Sequence, residues 1–243
     1  MKLVLDEWAT QVDPEFTHYR VDLIDFVTIT KGELFEACWK VYKEIDKSVL
    51  CSVRIPMFAN HIYTEFLKAG FRHVLVEADY KLHELPFPFP TQMIFTYYLH
   101  NVLDPIISNY VKEMAAAFRH SRFFVDSVIP NESAVAIKKE WILNCLYGKR
   151  GETIFALNQA QNELCGFITT MGNRIDLIGV LPKYSGLGTG TNLIRQWFLC
   201  HRPLPLYAAT NIANYNANVL YSKFGEISKL TNVLHLTVQK ERT

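Results

Sequence analysis

The chain has 243 residues, of which 49% are hydrophobic and 20% charged, and its formal net charge is +1. These proportions are those of an ordinary globular protein, long enough for one large or two small domains. A net charge this close to zero argues against the strongly basic surface that nucleic-acid-binding proteins use to bind phosphates. No apolar run approaches the roughly 18 residues of a membrane span, and the first residues lack the apolar core of a signal peptide.

Five cysteines are spread along the chain without any C-x-x-C pair. Their apolar surroundings predict buried, reduced thiols in a cytoplasmic protein, and they argue against disulfides or a zinc site. The eight histidines show no spacing typical of metal ligands. We therefore expect no metal ion.

The first half of the chain predicts strands that alternate with helices. Apolar runs of strand length alternate there with segments whose apolar residues recur at helical spacing. The predicted elements are strand 19–29, helix 34–42, strand 49–55, helix 60–68 and strand 71–80. Leu85–Pro90 then carries three prolines, which remove backbone donors and restrict the residues before them. This segment predicts a boundary between a domain at 1–90 and a domain at 91–243.

The second half predicts two helices, an antiparallel meander and a further strand–helix pair. Apolar stripes mark the helices, and Gln-Asn and Gly-Asn turns join the strands of the meander. The predicted elements are helices 103–118 and 133–147, strands 153–157, 164–170 and 174–180, strand 206–210, a helix beginning at Asn214, and a final hairpin over 227–238.

Three glycines at alternate positions, Gly186, Gly188 and Gly190, join strand 174–180 to a helix. Glycines let the backbone approach an anion, and the free N–H groups of a helix's first turn point towards it, so this arrangement predicts a pyrophosphate site. Thr191 stands where a dinucleotide-binding G-x-G-x-x-G pattern has its third glycine. A P-loop is also excluded, because no Lys-Ser/Thr follows the glycines.

The segment from Val180 to Gly190 resembles motif A of the GNAT acetyltransferases, Val-x-Pro-x-x-(Gln/Arg)-Gly-x-Gly-x-Gly/Ala, which binds the pyrophosphate of acetyl-CoA. Ser185 departs from it, where the family usually has Gln or Arg. The resemblance implies that pantetheine pairs with the preceding strand and that the pyrophosphate meets the backbone of the turn. The implied cofactor-binding residues are Ile178, Gly179, Val180, Ser185, Gly186, Leu187, Gly188, Thr189, Gly190, Thr191, Asn214 and Ala217.

The segment from Asn214 to Gly225 resembles a second GNAT motif, Asn-x-x-Ala-x-x-Leu-Tyr-x-Lys-x-Gly-Phe, with Glu226 in place of the last Phe. The resemblance makes Tyr221 the general acid that protonates the CoA thiolate, and the alternative is a core tyrosine on an amphipathic helix. Asn214 would hydrogen-bond the cofactor, cap the helix, or do both.

The order of the elements is similar to that of GNAT enzymes, which implies an α/β fold with a mixed, twisted sheet flanked by helices. Asn60–Phe71 faintly resembles the segment that begins at Asn214. We interpret the N-terminal half as a degenerate, partial GNAT-like unit, with coincidence as the alternative. GNAT enzymes are often dimers, so a homodimer is possible.

A second resemblance lies outside these motifs. Ala117–Pro130 and Lys139–Asn144 are similar to nucleotide-sugar N-acetyltransferases typified by dTDP-fucosamine acetyltransferase. This similarity implies acetylation of an amino group on a dTDP-linked deoxy sugar. The alternatives are a GNAT enzyme for another amine and a non-enzymatic acyl-CoA-binding module.

Three charged residues are candidates for the acceptor side of the reaction. Arg122 would meet a phosphate of the sugar nucleotide or form a structural ion pair. Asp126 would contact the sugar or accept the proton of its amine. The alternatives are that Asp126 caps a helix or forms a salt bridge with Arg122. Asp176 would take a proton from the amine through a water molecule. The alternative is that Asp176 is a solvated or paired carboxylate at the end of its strand.

Overall fold

A computed structural model describes residues 2–13, 15–23, 36, 47–84, 93–96, 104–158, 163–201 and 204–239. The predicted helix at 34–42, apart from Glu36, and the predicted boundary segment Leu85–Pro90 lie outside these residues. The domain boundary therefore stays a prediction. The strand predicted over 19–29 begins earlier, at Phe16, and is described as far as Asp22.

Ten strands and seven α-helices occur in the described residues. The strands are β1 (Lys2–Leu5), β2 (Phe16–Asp22), β3 (Ser48–Pro56), β4 (Arg72–Leu82), β5 (Met93–Thr96), β6 (Glu152–Asn158), β7 (Glu163–Met171), β8 (Arg174–Val180), β9 (Leu206–Asn211) and β10 (Gly225–Val238). The helices are α1 (Glu7–Val12), α2 (Asn60–Lys68), α3 (Asp104–Ala117), α4 (Arg122–Val125), α5 (Asn131–Leu146), α6 (Thr189–His201) and α7 (Tyr215–Ser222).

Within the described chain the strands have the order β1-β2-β3-β10-β4-β9-β8-β7-β6-β5. The sheet is mixed, because β2 pairs with β3 and β8 with β9 in parallel, while β6, β7 and β8 pair antiparallel. This confirms the predicted fold class. The chain forms two compact units, one of Met1–Ala78, His120–Ile137 and Lys229–Thr243, the other of Asp79–Arg119 and Lys138–Ser228.

The first unit packs helices against both faces of β2, β3 and β10. Ile62 and Phe66 of α2 lie in one core with Val53 and Leu234, and Gly70 with φ +93° follows the helix. The opposite face carries a second core, whose buried members are Phe16, Leu50, Phe123, Ile129, Ala134 and Ile137. Alternation of side chains along each strand explains why one strand serves both cores.

A buried carboxylate joins α5 to β2 in the same unit. Asp13 accepts a hydrogen bond from the Ser133 hydroxyl at 2.8 Å and contacts Nε2 of His18 at 2.6 Å. Burial opposes ionisation of Asp13, but the hydrogen bond with His18 and that from the backbone of Glu15 lower its pKa. The network satisfies polar groups that would otherwise destabilise the core.

The second unit places α3 and α6 on opposite faces of the β6–β7–β8 meander. Trp197 of α6 donates a buried hydrogen bond to Thr170 at 3.1 Å. On the other face, a side chain at Gly179 would collide with Met114 of α3. Gly179 is therefore required by packing, which brings α3 close to β8.

The predicted hairpin over 227–238 is wrong, because β10 is one continuous strand. It pairs antiparallel with β3 from Thr231 opposite Pro56 to Val238 opposite Val49. A tight hairpin turn needs residues at positive φ, and every described glycine with positive φ lies elsewhere in the chain.

Candidate functional site

The glycine turn between β8 and α6 adopts a backbone that requires glycine at two positions. Gly186 and Gly188 have φ of +77° and +82°. No atom lies within 4 Å of where a Cβ of Gly186 would be, so backbone conformation and not crowding explains this glycine. The segment from Ser185 to Gly188 is exposed, and Leu187 is 64% exposed. The turn is therefore open to a ligand.

The amides of this turn are not used by the fold. Asn192 donates the first backbone hydrogen bond of α6, to Gly188 O at 2.9 Å. In the described residues the preceding N–H groups, from Gly186 to Thr191, donate to no backbone carbonyl. A run of free amides at the positive end of a helix dipole binds anions.

Side-chain hydrogen bonds and an ion pair hold the glycine turn in its conformation. The buried Thr189 hydroxyl donates to the Tyr184 carbonyl at 3.2 Å, and the Tyr184 hydroxyl donates to Glu163 at 2.7 Å. Lys183 forms an ion pair with the same carboxylate. Ser185 donates its N–H to the Pro182 carbonyl and has an exposed side chain. The turn is held in place without the Gln or Arg side chain usual in motif A.

Strands β8 and β9 separate directly after they begin. Arg174 lies opposite Tyr207, and Tyr207 N–H donates to Asn173 O at 2.8 Å. The ladder between these two described strands ends at that pair. The register of β7 with β8 skips Asp176, which is a β-bulge. A bulge bends and twists its strand, so it explains why β8 turns away from β9.

The backbone of Ile178 and Val180 faces the resulting gap. Leu181 N–H donates to Cys165 O on β7 at 2.9 Å. Hydrogen-bonding direction alternates along an antiparallel pair, so Gly179, opposite Phe167, also faces β7. Ile178 and Val180 then present their N–H and C=O groups towards β9. Gly179, predicted as a cofactor contact, has its backbone turned away from the gap.

Helix α7 brings the second motif to the turn. A Cβ at Gly190 would lie 3.1 Å from Leu220, so the third glycine permits close approach of α6 and α7. Asn214 caps α7 by accepting from Ala217 N–H at 3.4 Å, and its amide donates to Thr210 at 3.2 Å. The predicted capping role of Asn214 is confirmed.

Tyr221 is a protonated phenol in an apolar setting. Its side chain is buried, and its ring lies 5.5 Å from that of Tyr80. Burial raises the pKa of Tyr221, against a lowering effect of Arg174. Its hydroxyl makes no hydrogen bond within the described chain. Such a group has a proton to donate and no protein partner that competes for it.

Sequence reasoning missed Asn218 and Tyr80. The Asn218 amide donates to the carbonyls of Asn211, Ile212 and Asn214, at 3.0, 3.1 and 2.7 Å. It accepts from the Tyr80 hydroxyl at 2.8 Å. These hydrogen bonds of Asn218 stabilise the turn between β9 and α7. Its position between two motif residues, one helical turn after Asn214, was the available signal.

Asp176 is a paired carboxylate, which was the alternative to a role in proton transfer. Arg150 binds its carboxylate through two nitrogens, at 2.8 and 3.0 Å, and Trp141 Nε1 donates at 2.8 Å. Burial opposes ionisation, but the hydrogen bonds from Arg150 and Trp141 lower the pKa of Asp176. A carboxylate so engaged is a weak base, so the expected role in proton transfer is not supported.

Arg122 and Asp126 both belong to the first unit. The salt bridge between them, one of the alternatives that the sequence left open, is replaced by others, because Asp126 accepts from Arg72 at 3.1 Å and contacts His235 Nδ1 at 2.8 Å. Burial alone would raise the pKa of Asp126, but hydrogen bonds from His235 and Val128 lower it to about 2. Arg122 lies over the ring of Phe123, 4.4 Å from its centre.

The described part of the chain shows neither a metal centre nor a membrane-spanning helix. It contains no group of three or more His, Cys, Asp or Glu side chains placed to hold a metal ion. None of its helices is long and apolar enough to cross a membrane.

Comparison with known structures identifies the fold. Models of protein families and curated proteins give no match to the sequence. A GCN5-related N-acetyltransferase from Sphaerobacter thermophilus superposes with a TM-score of 0.65 at 10% identity, over 98% of this chain and 76% of that one. One from Kribbella flavida gives 0.56 at 11% identity, over 90% and 80%. A tandem GNAT protein from the clavulanic acid biosynthesis pathway gives 0.53 at 14% identity, over 93% and 76%.

Proposed function

We propose that this chain, which has the fold of the GNAT acetyltransferases, transfers the acetyl group of acetyl-CoA to an amine. One observation carries the proposal: the N–H groups from Gly186 to Thr191 donate to no backbone carbonyl in the described residues, and the turn that holds them follows the end of β8 at which β8 no longer pairs with β9. The amides suit the pyrophosphate of CoA. The gap suits its pantetheine arm, because Ile178 and Val180 present backbone groups to it as to a neighbouring strand.

The reaction needs little more than position and one proton. The amine nitrogen forms a bond to the thioester carbon, the carbon–sulfur bond breaks, and the departing sulfur takes the proton of Tyr221. The pKa of Tyr221, raised by burial, keeps that proton in place until sulfur accepts it. An N–H of Ile178 or Val180 stabilises negative charge on the carbonyl oxygen. The amine loses its proton to water, because Asp176 is held by Arg150.

We further propose a nucleotide-linked amino-deoxy sugar, of the dTDP type, as the acceptor. The similarity of Ala117–Pro130 and Lys139–Asn144 to nucleotide-sugar acetyltransferases supports this choice. The residues that contact the sugar are not assigned, since Asp126 and Asp176 are both occupied by basic partners.

Thiol release from acetyl-CoA tests the proposal. The substrates are dTDP-linked amino sugars, the free amino sugars, polyamines and N-terminal peptides. We expect release only with the nucleotide-linked compounds. Release with another amine would retain the enzyme and replace the acceptor. Tight CoA binding without release across the panel would make the chain a binding module.

Tyr221→Phe tests the proton donor. We expect turnover to fall roughly 100-fold or more, as for removal of a general acid, while CoA affinity is kept. Tyr215→Phe is the matched control, because Tyr215 lies on the same helix and is 76% exposed. Its turnover should stay within about twofold of the unmodified chain. Equal turnover in both variants would remove Tyr221 from the mechanism.

A further inference from the structure

Three buried polar atoms of the first unit have no hydrogen-bond partner in the described chain: Ser121 Oγ, Arg122 Nε and His235 Nε2. Ser121 and Arg122 are adjacent at the start of α4, and Ser121 does not use its hydroxyl to cap that helix. Asp126 connects them to His235, because its N–H donates to the Arg122 carbonyl at 3.2 Å and its carboxylate lies 2.8 Å from His235 Nδ1. Native proteins rarely leave buried polar atoms unpaired, which points to a ligand.

His235 lies in a polar strip on one face of the sheet. Arg20 of β2 is opposite Ser52 of β3, and Ser52 is opposite His235 of β10. His235 is fully buried and its Nδ1 lies 2.8 Å from the Asp126 carboxylate. Burial lowers the pKa of His235 to about 4, against the hydrogen bond with Asp126. The neutral ring donates its N–H to Asp126, so Nε2 is a hydrogen-bond acceptor.

Arg122 has no ion-pair partner among the described residues, although the charges of Glu77 and Asp6 act on it from beyond ion-pair distance. Its cationic neighbours are paired, Arg20 with Asp22 at 2.6 Å and Arg54 with Glu77 at 2.8 Å. Within the described residues no carboxylate lies at ion-pair distance from Arg122. Burial and the nearby charge of Arg54 lower the pKa of Arg122 to about 10, so it stays charged at neutral pH. A buried guanidinium N–H without an acceptor favours a ligand that has acceptor oxygens, and the positive charge of the group favours an anion.

The unpaired atoms define the ligand chemically. Arg122 Nε–H and the Ser121 hydroxyl supply donors, whereas His235 Nε2 requires a donor from the ligand. The monoanion of a phosphate monoester has both, because its charged oxygens accept and its P–OH donates. Sulfate and simple carboxylates have no such donor at neutral pH.

We propose that Ser121, Arg122 and His235 form a binding site for a phosphate monoester in the first unit, with Asp126 holding the imidazole in the accepting tautomer. The site does not depend on the proposed acetyl transfer, because all its residues lie in the first unit.

The probe is inorganic phosphate, added to the full chain in a calorimeter. Phosphate can also occupy the glycine turn, so the titration is run with and without saturating CoA. We expect a heat of binding that persists with CoA and that is weakened roughly 10-fold or more in Arg122→Gln. Phosphate that binds only without CoA would place it in the turn and overturn the proposal. Absence of binding in both conditions would also overturn it.

Two comparisons distinguish binding through the unpaired atoms from attraction of phosphate by positive charge alone. Arg20→Gln removes one positive charge from the same face but not an unpaired donor, so phosphate affinity should change less than about threefold. Sulfate should bind at least about 10-fold more weakly than phosphate, because Nε2 of His235 would stay unpaired. This second comparison needs no variant. Equal affinities for the two anions, or equal losses in Arg20→Gln and Arg122→Gln, would contradict the site.

Discussion

Gly188→Ala should separate the stability of the glycine turn from its function. Gly188 has φ +82°, and a Cβ there would have ordinary contacts, the nearest at 3.7 Å from Asn192. The strain is therefore conformational. An L-residue in this region costs about 1 to 2 kcal/mol, which lowers the unfolding midpoint by about 2 to 8 °C in a chain of this length.

The loss of CoA affinity should be larger than the loss of stability suggests. Relief of the strain rotates the peptide groups of the turn, so that at least one amide no longer points at the pyrophosphate. A hydrogen bond to a charged group contributes about 1.5 to 3 kcal/mol. The dissociation constant for CoA should rise about 10- to 150-fold.

Gly172→Ala is the matched control. Gly172 has φ +59° in the exposed turn between β7 and β8, and no atom lies within 4 Å of where its Cβ would be. Both variants should lose similar stability in thermal unfolding, but calorimetry should show weaker CoA binding only for Gly188→Ala. Unchanged CoA affinity in Gly188→Ala, with its stability lowered as expected, would refute the pyrophosphate assignment.

Three further outcomes are expected. The free energy of unfolding should fall as pH drops from about 6.5 towards 4, because the unfolded chain protonates His235 before the folded one does. His235→Gln should reduce that slope in denaturant titrations, whereas His61→Asn, an exposed position, should not. Asp176→Asn should cost about 2 to 3 kcal/mol yet retain turnover below its unfolding midpoint; a folded but inactive variant would restore Asp176 as the base. Tyr80→Phe should cost about 1 kcal/mol and raise the KM for acetyl-CoA as Asn218 loosens, and an unchanged KM would contradict its positioning role.

Local sequence was sufficient for the glycine turn and for α7. Glycines at alternate positions, a proline that ends β8 and an asparagine that caps α7 act within a few residues of the chain. Their structural consequences could therefore be predicted. The helix predicted over 133–147 likewise agrees with α5 to within two residues.

Features set by distant partners were not predictable. The bulge at Asp176 exists only in the register of β8 with β7, and Arg150 and Trp141 fix its carboxylate. The continuity of β10 depends on β3, more than 170 residues earlier in the chain. Asp126 finds Arg72 and His235 as partners, 54 and 109 residues away. A local sequence pattern does not show which distant residue a side chain will contact. The sequence therefore left several roles open for Asp126 and for Asp176.

The bulge in β8 has a kinetic consequence. Because the fold itself parts the two strands, a slender ligand need not break any inter-strand hydrogen bond to enter. Its arrival should then follow simple second-order kinetics, with an observed rate that rises in proportion to CoA concentration and shows no plateau. The bulge at Asp176, several residues before the turn, would in this way keep the gap between β8 and β9 open at all times.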